Sequence, residues 1–472
     1  MYEMNAETSK IEKQDLPEID IALIEAKERL KSVRLRNIEI SFNFLTGLTS
    51  AAYTLYLLCF TQLFVQVLGK ERGTLVSLGV LALSLLLEAV MEPYTGQFSD
   101  RKGHHTSVRL SFVFLTVSIL SYLFISHSFQ VGANGSIWVA LLVITECVLA
   151  LGTAFQSGAI NSWYVRLVRE AGEAGPLTGF IARRRFWQAF AGIAVGACIL
   201  FPGSVSDVTV PLTLAAVAYA AAMTISWVLI PACPIAPHQR ESLLTAFRLA
   251  LKDIASSKRL SMVFISTATL SPLTLFIGYY WQQAVISTEA GGVDRNSAFF
   301  ALVWISLNVA RLLGNGAATK IKSANEKDQR VKYYVKSQLL ASIPLTIIPF
   351  VLLLSGTIFA SMFLVVSFAL TRFGQEIIKP ILLAWIHEDI PHESRRASIE
   401  SIIEGAGSLG FFALLMIVSV LSYIKKGSFE SSDMAVVLWA LAIIGFANLA
   451  LCVPMMLREA KLRRKGYPSG LT

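Results

Sequence analysis

The sequence predicts an all-α polytopic membrane protein, with twelve transmembrane helices in two six-helix bundles. Three observations carry that expectation. The chain of 472 residues is 54% hydrophobic and only 15% charged, whereas a soluble domain carries about 25% charge. Its apolar residues gather in segments of about 20 residues or more, the length that crosses a hydrocarbon core. Its lysines and arginines fall between those segments in an alternating pattern, the mark of a fixed orientation in a bilayer.

Taken in order, residues 1–37 are a polar cytoplasmic lead. Ile21, Ile24 and Leu30 mix there with Glu25, Lys27, Glu28 and Arg29, which reads as a short amphipathic helix or a solvated lead. The first 35 residues show no cleavable signal, so the first membrane helix is expected to do the targeting. Residues 38–231 form the first bundle, with spans near 40–68, 74–97, 107–128, 136–165, 178–201 and 209–231. Residues 232–259 are a cytoplasmic linker. In it Leu243, Leu244, Phe247, Leu251 and Ile254 recur at helical spacing against Arg240, Glu241, Arg248, Lys252 and Asp253, which predicts a surface helix. The second bundle, 260–457, has spans near 260–287, 296–319, 333–354, 357–386, 397–423 and 433–457, and residues 458–472 are a cytoplasmic tail.

With both termini inside, roughly 33 of the 41 basic residues fall on the inner side and about five on the outer. The net charge of +9 is then a consequence of topology, and nucleic acid is not needed to explain it. The five cysteines, Cys59, Cys147, Cys198, Cys233 and Cys452, are scattered without ligand or disulfide spacing. His387-Glu388-Asp389-Ile390-Pro391-His392 separates its histidines by five positions with a proline between, where a zinc helix needs four. There is no phosphate-binding glycine loop. The expectation is a protein that is not an enzyme and takes no cofactor or metal.

Between the second and third spans stands Glu92-Pro93-Tyr94-Thr95-Gly96-Gln97-Phe98-Ser99-Asp100-Arg101-Lys102-Gly103-His104-His105. Two helices joined so closely at a water boundary need a tight polar turn, and glycine tolerates both the backbone and the close contact. Gly96-x-x-Ser99-Asp100-Arg101-x-Gly103 resembles the signature loop of the major facilitator superfamily, with Phe98 for the usual leucine and His104-His105 for the usual basic pair. Phe155-Gln156-Ser157-Gly158…Trp163 is similar to a stretch of bacterial members, with Arg166 where an aspartate is usual. Gly374…Pro380…Trp385-Ile386…Pro391…Arg396-Ala397-Ser398…Ser401 resembles the junction of the tenth and eleventh helices. Gly314-Asn315-Gly316 to Lys322 echoes the signature loop in the second half, without its aspartate. Gly192-x-x-x-Gly196 reads as close packing and not as an antiporter motif.

The resemblance implies a monomeric secondary transporter in the bacterial inner membrane, with a central cavity lined by the first, fourth, seventh and tenth helices. It also implies a conformational latch of Gly96, Asp100, Arg101 and Gly103, with Glu92 and Glu88 opposite Arg395 and Arg396. Ionisable residues within spans are functional candidates by default. Glu146 is the sharpest, as a proton carrier or a site for a cation, against the plainer reading of a structural acid. Arg372 either pairs with Glu376 one turn on or faces the cavity and reads an anionic group; Lys379 lies beyond. Arg311 is expected to be structural, paired with Glu400 or Glu404. Asn43, Tyr53 and Gln283, with Thr46, Tyr56, Gln62, Tyr279, Tyr280, Trp281 and Gln282, add a polar and aromatic lining. The expected function is proton-coupled movement, in the export direction, of a small organic solute across a lipid bilayer. A lipid flippase of the same fold and a non-transporting sensor or scaffold are the alternatives.

Overall fold

The structure is a computed structural model that describes residues 18–129, 135–170, 177–199, 208–232, 243–288, 297–321, 327–352, 358–389, 395–426 and 431–464. Among them are fourteen helices and no strand. They are α1 (Glu18–Leu68), α2 (Lys70–Lys102), α3 (His104–Ser128), α4 (Gly135–Gln156), α5 (Ala159–Glu170), α6 (Leu177–Ile199) and α7 (Thr209–Val228), followed by α8 (Leu243–Ser256), α9 (Lys258–Thr288), α10 (Ser297–Thr319), α11 (Lys327–Leu352), α12 (Ile358–Asp389), α13 (Arg396–Lys426) and α14 (Ser431–Arg464). Among the described residues, seven helical stretches are long and apolar enough to cross a membrane. One joins α4 to α5 as a single stretch, Gly135–Glu170, interrupted only at Ser157–Gly158. The chain is a multi-pass membrane protein.

Side-chain chemistry explains where helices end. Gly69 and Gly103, at φ +81° and +95°, are the two described residues in left-handed backbone, and they separate α1 from α2 and α2 from α3. Only glycine enters that region without a Cβ clash. The Gly103 N–H still closes on the Ser99 carbonyl at 3.0 Å, so the turn is hydrogen-bonded as well as sharp.

α1 to α7 pack among themselves, and α9 to α14 do the same. The halves meet along α2 against α13 and along α6 against α10 and α12. Small residues make the second seam possible. A Cβ at Gly196 would stand 2.8 Å from Ile305 Cγ1, and Trp304 donates its indole N–H to the Gly192 carbonyl at 3.1 Å. Helix α8, in the linker between the bundles, buries Ala250 and Ile254. Asp253 on α8 accepts from Arg395 at 3.1 Å, so that arginine joins the linker helix to the start of α13.

Candidate functional site: a charged seam between two halves

At the signature loop, three residues of the first half grip the first turn of α13. A Cβ at Gly96 would lie 2.9 Å from Ser398 Cα, and one at Gly158 would lie 2.8 Å from the Ala397 carbonyl oxygen. Both glycines are there because α13 touches their backbone. Asp100 then caps that helix. Its carboxylate accepts the Ala397 N–H at 3.2 Å, the Ser398 N–H at 3.1 Å and the Ser398 hydroxyl at 2.6 Å. A helix start carries unsatisfied N–H groups and a partial positive charge, so a carboxylate fits it. Arg396 acts electrostatically on Asp100 from the same turn. Arg101, by contrast, is exposed. Ser99 and His104 hydrogen-bond across the turn at 2.9 Å, and Thr95 donates to the Ala154 carbonyl at 2.7 Å, bracing the loop on α4.

Glu92 departs from the expected latch. It is buried beneath Gly405 of α13, 3.5 Å from the position a Cβ would take, and its charged neighbours are Glu404, Glu88 and Glu400 rather than the arginines. Four carboxylates from α2 and α13 thus converge on the seam.

Two ionic networks lie next to them. Glu400 accepts from Asn161 and from the Ser162 hydroxyl, the latter at 3.2 Å, and Asn161 in turn accepts from the buried Arg184. The Arg184 guanidinium also stands 5.8 Å over the Tyr164 ring. At the end of α12, His387 approaches Glu400 at 3.7 Å. Burial, with Arg396, Arg169 and Arg184 around it, holds that imidazole well below its usual pKa, so the approach is not an ion pair.

Glu376 on α12 is the hub of the second network. Arg185 of α6 donates to one carboxylate oxygen at 3.0 Å and Arg311 of α10 to the other at 3.1 Å; Asn315 adds 3.2 Å. The i,i+4 expectation of Arg372 with Glu376 is therefore corrected: inter-helix arginines take both oxygens. The expected pairing of Arg311 with Glu400 or Glu404 is corrected for the same reason. Arg183, Arg184 and Arg185 form a run of three arginines in α6. The structure turns Arg184 and Arg185 inward, where Asn161 and Asn315 join their networks.

Further into the seam, Tyr53 of α1 and Tyr279 of α9 meet hydroxyl to hydroxyl across the two halves. Tyr53 packs on Tyr56 with ring centroids 5.9 Å apart, and Tyr279 stacks on Phe411 at 6.1 Å. Glu146 lies behind this pair, inside the first half and only 1% exposed. It accepts from Tyr56 at 2.7 Å and from Tyr122, so in this conformation two phenols hold it. Asn43 is half-buried, with its side-chain oxygen unpartnered. Gln283, with residues 280–282, lies outside the described side chains. No group of three or more metal-ligating side chains occurs among the described residues.

By sequence, no family model and no curated protein matches the chain. By structure it is similar to many. The nucleoside transporter NupG superposes with a TM-score of 0.61 at 15% identity, covering 89% of this chain and 99% of that one. The POT family transporter PepTSo gives 0.63 at 11%, covering 91% and 99%. A bacterial homologue of the iron transporter ferroportin, in an outward-facing state, gives 0.63 at 13%, covering 89% and 98%. The human organic anion transporter MFSD10 gives 0.58 at 14%, covering 88% and 99%. The fold is that of these solved transporters. The motif resemblance at residues 92–105 and the three-dimensional likeness agree, and the match runs over both halves of the chain.

Proposed function

We propose that this protein is a secondary transporter, moving a small solute by alternating access between its two halves, with twelve bilayer crossings and both termini cytoplasmic. The observation that carries the reading is the asymmetry of the seam. At the Asp100 face it is closed by backbone-to-backbone contact and a capped helix, which are geometries that exist in two discrete states and not in intermediate ones. Behind that closure lie buried ionisable side chains, Glu146 within the first half and Glu376 tied to both halves. Asp100, Gly96 and Gly103 are latch elements in this reading, and the Glu376 network is a second tie, since Arg185 and Glu376 belong to opposite halves. Basic residues concentrated at the Asp100 end support placing that face in the cytoplasm.

Protons are the coupling ion we assign, because the buried groups of the first half that have no cation in contact are carboxylates, Glu146 foremost. Export, and the bacterial inner membrane, rest on the family resemblance alone. The test is proton movement in proteoliposomes on adding a mixed panel of amphiphilic solutes, with wild type beside Glu146→Gln. Solute-dependent proton flux that disappears in the variant supports the assignment. Equal flux in both removes Glu146 from coupling and moves it to packing.

A further inference from the structure

We propose that the solute carries an anionic group, a carboxylate, phosphate or sulfonate, and that Arg372 receives it. The inference deepens the transport reading and rests on it. Arg372 lies on α12 with 8% of its surface exposed, and among the described residues its guanidinium makes no hydrogen bond or ion pair. Buried side-chain nitrogens that are both sealed from water and unpartnered occur at Arg184, Arg330 and Arg396, but not at Arg372. Its donors are therefore within reach of water. A guanidinium offers five donors in a fixed fork, which a solute's oxygens can take over from water.

The surroundings have one sign. The charges that act on Arg372 are Arg311, Arg185 and Glu376, and Lys379 feels Arg372 in turn. Glu376 is the one carboxylate among them, and Arg185 and Arg311 already occupy both its oxygens. Lys379, half-buried one helical turn past Glu376, has no hydrogen bond or ion pair among the described residues either. Two cations are thus left over after the local pairing is complete. The carboxylates of the seam do not make up the difference at this point: Glu404 acts on Arg185 and Lys379, not on Arg372.

Geometry places the free fork where a solute would sit. A Cβ on Gly278 would be 3.4 Å from an Arg372 terminal nitrogen, so the guanidinium reaches α9 beside Tyr279. Tyr279 is the residue that meets Tyr53 across the halves. An anion bound at Arg372 would lie against α9 at Gly278, one residue before that tyrosine. An arginine fork suits a carboxylate or phosphate better than a lysine would, because it binds two oxygens together.

The test needs no knowledge of the solute. In a full-length chain with Cys59, Cys147, Cys198, Cys233 and Cys452 replaced by serine, a single cysteine is introduced by Tyr279→Cys, and independently by Tyr53→Cys. Each is labelled with anionic sulfonatoethyl and cationic trimethylammonioethyl methanethiosulfonates. The expected anionic-to-cationic rate ratio exceeds that of 2-mercaptoethanol by roughly tenfold or more, and falls back towards it when Arg372→Gln and Lys379→Gln are added. Arg166→Gln, at the surface, leaves it unchanged. A ratio at or below the free-thiol value, a ratio indifferent to Arg372→Gln, or no labelling at either position overturns the proposal. Motion of the two halves is measured separately, so an unfavourable ratio with moving halves discards the anion and leaves transport standing.

Discussion

Replacing Asp100 by asparagine removes a charge and one acceptor from the cap on α13, with almost no change of volume. In the closed seam the carboxylate oxygens take three donors: two backbone N–H groups and one hydroxyl. Asparagine has one oxygen, so its NH2 must face a donor of Ala397 or Ser398. Hydrogen bonds to a charged group contribute about 1.5–3 kcal/mol each, and a charge at a helix N-terminus about 0.3–1 kcal/mol more. Against this stands the desolvation of a buried carboxylate, several kcal/mol, which asparagine avoids. Those terms nearly offset. The donor-to-donor contact then decides the sign, at about 1–3 kcal/mol for an unsatisfied buried donor. Taking about 2 kcal/mol, and noting that the open face lets water solvate either side chain, the closed-to-open ratio falls roughly thirtyfold. Spin labels at Lys102→Cys and Lys320→Cys, at the ends of α2 and α10, read that ratio as two distance populations. The longer distance is expected to grow in Asp100→Asn. An unchanged distribution would refute the cap as a tie between the halves.

Three further outcomes follow from the same seam. Gly96→Ala places a Cβ 2.9 Å from the Ser398 Cα, a backbone atom that cannot step aside, so the same label pair is expected to favour the long distance. Glu376→Gln leaves Arg185 and Arg311 facing each other without their carboxylate; loss of a buried partner costs about 3–5 kcal/mol, and the purified chain is expected to melt earlier, with an unchanged melt contradicting the hub. His387 is held below its usual imidazole value of 6.5, so the unfolded chain takes up a proton that the folded chain refuses. Stability from this residue is full above about pH 6.5 and is lost as pH falls. His387→Gln is expected to flatten the decline in melting temperature between pH 6.5 and 5, and an equally steep decline would show that His387 is not its source.

Most of the fold was legible because the bilayer imposes long apolar segments, and the turn at Gly96 to Gly103 has little freedom once two helices must reverse there. Asp100 at the start of α13 was legible too, through its resemblance and its position. The ionic networks were not. Arg372 and Glu376 stand four apart on one helix, and the sequence offers no sign that Arg185 and Arg311 come from α6 and α10 to claim the carboxylate. Arg184 and Arg185 sit in a run of three arginines that orientation alone explains, so their burial was masked by a sufficient plainer reason. Glu146 was found by its isolation in an apolar span, yet the tyrosines holding it, Tyr56 and Tyr122, are ordinary aromatic residues of two other helices. Spacing reports which residues share a helix face; it does not report which helix that face meets.

The central claim is that the two faces open in alternation. Distances measured together in lipid nanodiscs test it most directly, with the pair Lys102→Cys and Lys320→Cys on the Asp100 face and His127→Cys with Met362→Cys on the other. The account predicts two populations at each pair, with Asp100→Asn lengthening the first while it shortens the second. Distances that stay fixed at both faces, or that lengthen together, would contradict it.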